Sequence, residues 1–183
     1  MKEETIHINR RLVEKCLDGD IKAQYQLYKQ YSKAMYNIAI RFLNNKMDAE
    51  DILQESFTTA FSRLEELQNK DLFGSWLKRI VINNCISLQR KQKIAFEEID
   101  EQRHGEVDEM DEGMPKVDPA LVHRAIKELP NKGRTVLVLR ALEGYSHKEI
   151  AETLDISVST SKTQYSRALS LLNKKLKGKI DVN

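Results

Sequence analysis

Apolar side chains return at helical spacing along most of this sequence, and one acidic stretch interrupts the pattern. Over 9–93 and again over 119–172, large apolar residues recur every three or four positions, the period of an α-helix with one buried face. Seven Gly and three Pro are too few for the turns that a multi-stranded β fold needs about every 8–12 residues. The sequence therefore predicts an all-α protein.

The first stretch predicts a four-helix domain over residues 1–94. Asp20 is predicted to cap a second helix that runs to about Leu43, because it precedes a long apolar stripe. Asp48 is predicted to cap the third helix, and the fourth helix is predicted over 72–93. A domain of this kind can bury a modest core.

The single Trp and both Cys of the chain lie in this domain, and their helical spacing favours the core. Trp76 shares a helix face with Phe73 and Leu77, so we expect it to be buried and not to be a platform for a nucleic-acid base. Cys16 and Cys85 also lie on apolar faces and are expected as free core thiols of a reducing compartment. The four His are scattered and no Cys/His pair has zinc-ligand spacing, so no metal site and no cofactor are predicted.

Residues 95–117 are predicted to form a flexible acidic linker. The segment carries nine Asp and Glu against two basic residues, and it has too few large apolar residues to offset the entropy of ordering. The flanking segments 1–94 and 118–183 each have an excess of Lys and Arg. Basic domains suit a polyanionic partner, which an acidic linker would avoid.

Residues 118–183 predict a second helical domain that begins with a cap at Asp118 and contains a helix-turn-helix. Ser146 and Glu149 have the spacing of a capping box, and Ser157 is predicted to cap the next helix after a short turn. The exposed first half of that helix carries hydroxyls, an amide and two cations, groups that reach base edges and phosphates in a major groove. These residues are Ser159, Thr160, Ser161, Lys162, Gln164 and Arg167. A solvated polar face is the simpler alternative.

These segments resemble the sigma factors of bacterial transcription, in the sigma-70 family and of the extracytoplasmic-function type. The run 144–172 is similar to region 4, which reads the minus-thirty-five promoter element. The run 48–57 is similar to the part of region 2 that docks on the clamp helices of RNA polymerase. Residues within 73–90 resemble the part of region 2 that melts and reads the minus-ten element. The resemblance covers nearly the whole chain, with both domains in the family's order.

The resemblance implies three sets of site residues. The minus-thirty-five set is the helix-turn-helix face named above. The polymerase-binding set is Asp48, Glu50, Asp51, Leu53, Gln54 and Glu55. The minus-ten set is Lys70, Ser75, Lys78, Arg79, Asn83, Ser87 and Arg90, of which Lys70 lies in a loop that takes a base flipped out of the opened strand. Carboxylates clustered on a basic domain suit a cationic protein surface, although a favourable charge cluster at a helix N-terminus would look the same.

The resemblance also implies a cytoplasmic, non-catalytic factor for transcription initiation. Its expected partners are core RNA polymerase, through the β′ clamp helices and the β flap, promoter DNA and an anti-sigma factor. No run of the sequence approaches the length of a membrane span, so no membrane insertion is expected. The linker and the two domains are expected to span two promoter elements about 70 Å apart, roughly two turns of duplex.

Other classes of protein explain less of the sequence. A stand-alone dimeric repressor accounts for the helix-turn-helix but not for the acidic third helix. A zinc or nucleophilic enzyme is disfavoured because the four His are scattered and no Cys/His pair has ligand spacing. A salt-dependent promoter shift assay with core polymerase would distinguish a helical interaction protein that makes no DNA contact. The sequence also departs from the common family pattern at Ser87, Ser161 and Gln164, where aspartate, an aliphatic residue and arginine are frequent. An arginine-to-glutamine exchange moves the expected base preference from guanine toward adenine.

Overall fold

The computed structural model describes residues 2–96 and 118–180, and the chain divides into two compact units, Met1–Glu97 and Glu98–Asn183. The described residues form helices joined by short turns, with no strand among them. The all-α prediction is therefore confirmed. The predicted linker lies outside the described residues from position 97 onward.

The first unit contains four helices, which we label α1 (Lys2–Leu17), α2 (Ile21–Leu43), α3 (Lys46–Ser62) and α4 (Phe73–Phe96). Two short 3-10 turns, Leu64–Glu66 and Lys70–Leu72, connect α3 to α4. The cap predicted at Asp20 is confirmed, since its carboxylate accepts hydrogen bonds from the N–H groups of Lys22 and Ala23. Helix α2 packs against each of the other three helices, so it is the centre of the unit.

The cap predicted for α3 is wrong. Asn45, not Asp48, precedes the helix, and its side-chain oxygen accepts from the Met47 N–H at 3.0 Å. Asn44 adopts a left-handed conformation with φ 54°, which asparagine tolerates, so α2 ends and α3 begins within two residues. Asp48 lies in the first turn of α3, where its carboxylate still favours the positive end of the helix dipole.

The core of the first unit is apolar and aromatic, and both thiols lie in it. Phe42, Phe73 and Leu77 are fully buried. Cys16 and Cys85 are buried and unbridged, as predicted. Burial raises the pKa of Cys16 to about 11 and that of Cys85 to about 12, so both thiols stay protonated and unreactive at neutral pH.

The second unit contains α5 (Pro119–Lys127), α6 (Asn131–Leu137), α7 (His147–Leu154) and α8 (Val158–Ile180). Asp118 caps α5 by accepting from the Ala120 N–H, as the sequence predicted. A π-helical turn, Val138–Leu142, extends α6, and Gly144 with φ +79° follows it. The long helix α8 packs against α5, α6 and α7 over a core that includes Val136 and Ile150.

Arg134 fixes the turn between α5 and α6. The residue is 3% exposed, and its guanidinium donates to the carbonyl oxygens of Lys127 and Leu129, each at 3.1 Å. A third hydrogen bond of 2.5 Å reaches the side-chain oxygen of Asn131. Burial lowers the pKa of the Arg134 guanidinium. The ordinary pKa of arginine is so high that the group nevertheless stays charged at neutral pH. The side chain thus satisfies carbonyls that the end of α5 leaves open.

Among the described residues, no helix combines the length and the apolar character that crossing a membrane requires.

Candidate functional site

The helix-turn-helix predicted in the second unit is confirmed. Ser146 Oγ accepts from the Glu149 N–H at 3.2 Å, and the Glu149 carboxylate accepts from the Ser146 N–H at 2.7 Å, which completes the capping box. Asp155 then turns the chain with φ 55°. Ser157 Oγ accepts from the Thr160 N–H at 3.0 Å and starts α8. Local contacts alone therefore define both ends of the turn.

The seam between α7 and α8 contains a polar contact that corrects one prediction. Ser161, expected on the exposed face, is fully buried, and its Oγ lies 3.0 Å from Nδ1 of His147. The His147 ring also packs edge-on against Tyr165, with ring centroids 5.6 Å apart. Ser161 shares the inner face of α8 with Ala168, seven residues on, and this spacing was the sequence signal for its burial. It therefore packs α8 against α7 and does not belong to the exposed face of α8.

Burial lowers the pKa of His147, and the positive charges of Arg140 and Lys162 lower it further. The imidazole is therefore neutral at physiological pH, and one ring nitrogen can accept a hydrogen bond from Ser161.

The outward face of α8 carries the remaining predicted groups. Ser159, Lys162 and Arg167 are exposed, and Thr160 and Gln164 are half-buried. The hydroxyls of Ser159 and Thr160 each lie 2.8 Å from Ser157 Oγ, so they take part in the cap as well. The longer side chains of Lys162, Gln164 and Arg167 extend beyond this cluster and offer cationic and amide groups for base and phosphate contacts.

Helix α3 presents an acidic outer face. Glu50, Asp51, Gln54 and Glu55 are all exposed, and their spacing of three and four residues places them side by side. Asp48 lies at the edge, half-buried, and accepts from Gln92 Nε2 of α4 at 3.1 Å.

The resemblance assigns Leu53 to the polymerase-binding set as well, but this apolar residue is only 7% exposed. Because it falls on the opposite side of α3, in the core, it holds the helix in place and does not form part of the outer face.

Helix α4 presents a polar and basic line. Ser75, Arg79, Asn83, Ser87 and Arg90 are all exposed and follow one another at steps of three or four residues. With a rise of about 1.5 Å per residue, the line is roughly 22 Å long. Lys78 lies beside it and is half-buried.

Trp76, expected in the core, is only half-buried. Its ring centroid lies 6.2 Å from that of Phe73, so one part of the indole packs against the core while another part is exposed. Helical spacing puts it next to Arg79 and Asn83 on the polar line. The residue therefore adds an aromatic surface that the sequence-based interpretation assigned to packing alone.

Lys70 lies apart from the line on α4. It belongs to the turn Lys70–Leu72, and its ammonium nitrogen is 3.7 Å from Glu14 Oε1 of α1. The neighbouring Asp71 approaches Arg10 of the same helix, with Oδ2 at 3.9 Å from the guanidinium. The structure thus brings the predicted loop residue to α1, a helix that the sequence did not connect with any site.

Two family models match the chain. Sigma-70 region 2 matches residues 27–94, which include α3 and all of α4 but its last two residues. Sigma-70 region 4 matches residues 120–172, which include α7 and the first part of α8.

Several characterised proteins are similar over most of their length. A protein of Bacillus subtilis named RNA polymerase sigma factor SigV is 32% identical over 78% of this chain and 84% of its own. Another from that organism, ECF RNA polymerase sigma factor SigW, is 30% identical over 92% of this chain and 96% of its own. The RNA polymerase sigma-H factor of Pseudomonas aeruginosa is 28% identical over 92% and 93%.

Solved structures share the fold. CnrH, in complex with the cytosolic domain of CnrY, is 26% identical with a TM-score of 0.54, covering 93% of this chain and 98% of that one. The sigma factor RpoE of Bartonella quintana, in complex with the anti-sigma factor NepR, is 22% identical with a TM-score of 0.55, covering 86% and 98%.

Proposed function

The chain belongs to the sigma-70 family as an extracytoplasmic-function sigma factor that directs RNA polymerase to promoters, and we propose that three of its surfaces divide this task. The acidic face of α3 binds the polymerase. The polar line of α4 reads the minus-ten element, and the outward face of α8 reads the minus-thirty-five element. One observation supports the proposal above all: the chain presents two helix faces suited to DNA, one in each compact unit.

The acidic face of α3 suits a cationic protein surface. Glu50, Asp51 and Glu55 place three exposed carboxylates side by side on a unit that is otherwise basic. DNA would be repelled from this face, whereas the clamp helices of the polymerase are the expected partner. Complementary charge of this kind raises the association rate and fixes the orientation of the complex.

The α8 face suits duplex DNA in the major groove. Arg167 and Lys162 supply cations for phosphates or guanine, and Gln164 supplies an amide that pairs well with adenine. The cap at Ser157 marks the N-terminus of α8, where the positive end of the helix dipole favours a phosphate. We expect Gln164 and Arg167 to set most of the preference for the upstream element.

The α4 line suits a duplex that is being opened. Arg79 and Arg90 suit phosphate contacts, and Asn83 suits a base edge. The half-exposed Trp76 offers an apolar ring on which a base released from the stack can lie. We propose that this surface and the connecting segment 63–72 bind the opened non-template strand and so favour melting.

We propose that the protein acts in the cytoplasm and catalyses no reaction itself. The chain contributes binding energy and orientation, while the polymerase carries out the chemistry. We also propose that an anti-sigma factor controls the protein by covering the acidic face of α3 or the outward face of α8, since both must be free for initiation.

Run-off transcription tests the proposal directly. Purified chain and bacterial core polymerase are combined with a library of promoter fragments at low salt. We expect specific transcripts that depend on the chain and that begin at a common distance from two shared sequence elements. Transcripts that are equally abundant without the chain, or that share no upstream element, would contradict the proposal.

A further inference from the structure

Helix α1 has no part in the three surfaces proposed above, and it lies before the match to Sigma-70 region 2, which begins at residue 27. In the structure it packs against the turns Leu64–Glu66 and Lys70–Leu72 and against α4. Helix α1 thus contacts both 3-10 turns of the segment that connects α3 to α4. This side of α1 makes hydrogen bonds and ion pairs as well as apolar contacts.

The first contact is a buried amide on α1. Asn9 is 7% exposed, and both ends of its side chain are used. Its oxygen accepts from Gln30 Nε2 at 2.6 Å, and its nitrogen donates to the Tyr31 hydroxyl oxygen at 2.7 Å. A buried amide is stable only when its hydrogen bonds are made in good geometry. The Asn9 side chain therefore fixes α1 against α2 and fixes the position of the Tyr31 ring.

The second contact carries this position on to α4. The Tyr31 ring packs edge-on against Phe73, the first residue of α4, with centroids 5.4 Å apart. Gly74 comes next, and a Cβ atom added there would lie 2.7 Å from Cε1 of Tyr31. Such a contact is too close for a side chain, so only glycine allows the ring this position. Asn9, Tyr31 and Gly74 therefore form a tightly packed series from α1 to the start of α4.

The third contact is ionic and reaches the connecting segment itself. Glu14 pairs with Lys70 at 3.7 Å, and Arg10 approaches Asp71 at 3.9 Å. All four side chains are partly exposed, so each pair contributes little to stability. Their placement nevertheless ties both charged residues of the turn to the same helix. The segment 70–74 is thereby held by α1 through the ion pairs and through Tyr31.

We infer that α1 is a positioning element for the opened DNA strand. By holding Tyr31, Lys70 and Asp71, it sets the segment 70–74 in the place where the α4 line begins. The inference rests on the proposed minus-ten role of that surface. It assigns Asn9 and Tyr31 as positioning residues: they meet no DNA, but their loss should weaken strand binding more than polymerase binding.

Two small substitutions test this role with minimal change to the core. Tyr31→Phe removes only the hydroxyl that Asn9 meets. Gly74→Ala adds one methyl group that forces the Tyr31 ring to move, while alanine favours the helix more than glycine does. Tyr36→Phe is the matched control, because Tyr36 is a half-buried tyrosine of the same helix. All variants are made in the full chain and assembled with core polymerase.

Three measurements are made on each protein: affinity for core polymerase, thermal midpoint of the free chain, and affinity of the holoenzyme for a single-stranded non-template oligonucleotide. The oligonucleotide comes from a promoter selected by run-off transcription. We expect Tyr31→Phe and Gly74→Ala to weaken oligonucleotide binding about three- to tenfold, the scale of one buried hydrogen bond. Polymerase affinity should stay within about twofold, and Tyr36→Phe should change neither.

Each other outcome counts against the inference. Unchanged oligonucleotide binding in both variants would overturn it and leave the proposed function intact. Parallel losses of thermal midpoint, polymerase affinity and strand affinity would show that α1 only completes the core. Failure of the unmodified holoenzyme to bind the oligonucleotide would overturn the minus-ten proposal and, with it, this inference.

Discussion

The two helices proposed to read DNA are positioned by contacts of different sequence range. The start of α8 is set by neighbours: Ser157 bonds to Thr160, and the turn before it depends on Asp155. The start of α4 depends on residues far away in sequence, since Tyr31 packs on Phe73 and Gly74. A recognition surface of the first kind is encoded in one short motif. One of the second kind exists only when the whole unit is folded.

A substitution in the core of the second unit should lower the stability of that unit alone. Arg134→Ala should destabilise the second unit by about 2–4 kcal/mol, because it removes three hydrogen bonds of a buried cation. The single tryptophan, Trp76, lies in the first unit. The unfolding transition of the second unit, followed by circular dichroism, should therefore move to a lower urea concentration. The transition followed by Trp76 fluorescence should stay at the same urea concentration. A common shift of both signals would show that the two units unfold together and do not have independent stabilities.

Charge reversal on α3 should weaken polymerase binding by the first unit without weakening DNA binding by the second. The double substitution Asp51→Lys and Glu55→Lys replaces two exposed carboxylates with ammonium groups, which repel a cationic partner. We expect affinity for core polymerase to fall at least tenfold, about 1.4 kcal/mol or more. Affinity of the free chain for minus-thirty-five duplex should not fall. Asp18→Lys is the control, because Asp18 is an exposed acidic residue of the same unit that follows α1 and belongs to none of the proposed surfaces. Equal losses from the control would show a general charge effect instead.

Arg167→Ala should affect only the upstream element. If Arg167 contacts a guanine, the holoenzyme loses about 1–3 kcal/mol of discrimination at one base position. If it contacts a phosphate, binding weakens on every sequence, and the slope of log affinity against log salt falls by about one. Titrations on matched and substituted promoters at several salt concentrations distinguish the two. Lys132→Ala, an exposed cation on α6, should change neither quantity.

The smallest expected effect is a dependence of the second unit on pH. The pKa of His147 is lower in the folded protein than the ordinary value near 6.5, so the unfolded chain binds the proton more readily. The neutral imidazole therefore stabilises the unit above about pH 6.5. This contribution is lost as the pH falls through the lower folded pKa. Urea titrations at pH 7.5 and 5.5 should show a modest loss that His147→Asn removes. An equal loss in that variant would assign the effect to other groups.

The same difference in contact range explains what the sequence allowed us to predict. The caps at Asp20, Asp118, Ser146 and Ser157 were recognised because each depends on residues within one helical turn. Ser161 was wrongly predicted to be exposed, since a polar residue on a helix was taken to face solvent. Its burial is set by packing against α7, where it meets His147, and polarity alone does not reveal that contact.

The contacts of α1 were not predicted at all. Asn9 and Tyr31 are separated by a helix and a turn, and their pairing depends on the angle between α1 and α2. The half-exposure of Trp76 has a similar origin. Helical spacing placed it correctly beside Phe73, but how far α4 turns this side toward solvent depends on the packing of α2 and α3.

Footprinting on a promoter selected by run-off transcription shows whether each unit contacts its own promoter element. We expect the chain with core polymerase to protect two separated elements. Arg167→Ala should reduce protection at the upstream element alone, and the α3 charge reversal should abolish both footprints. Protection of a single palindromic site by the chain without polymerase would instead identify a stand-alone DNA-binding protein and would contradict the division of labour proposed for the two units.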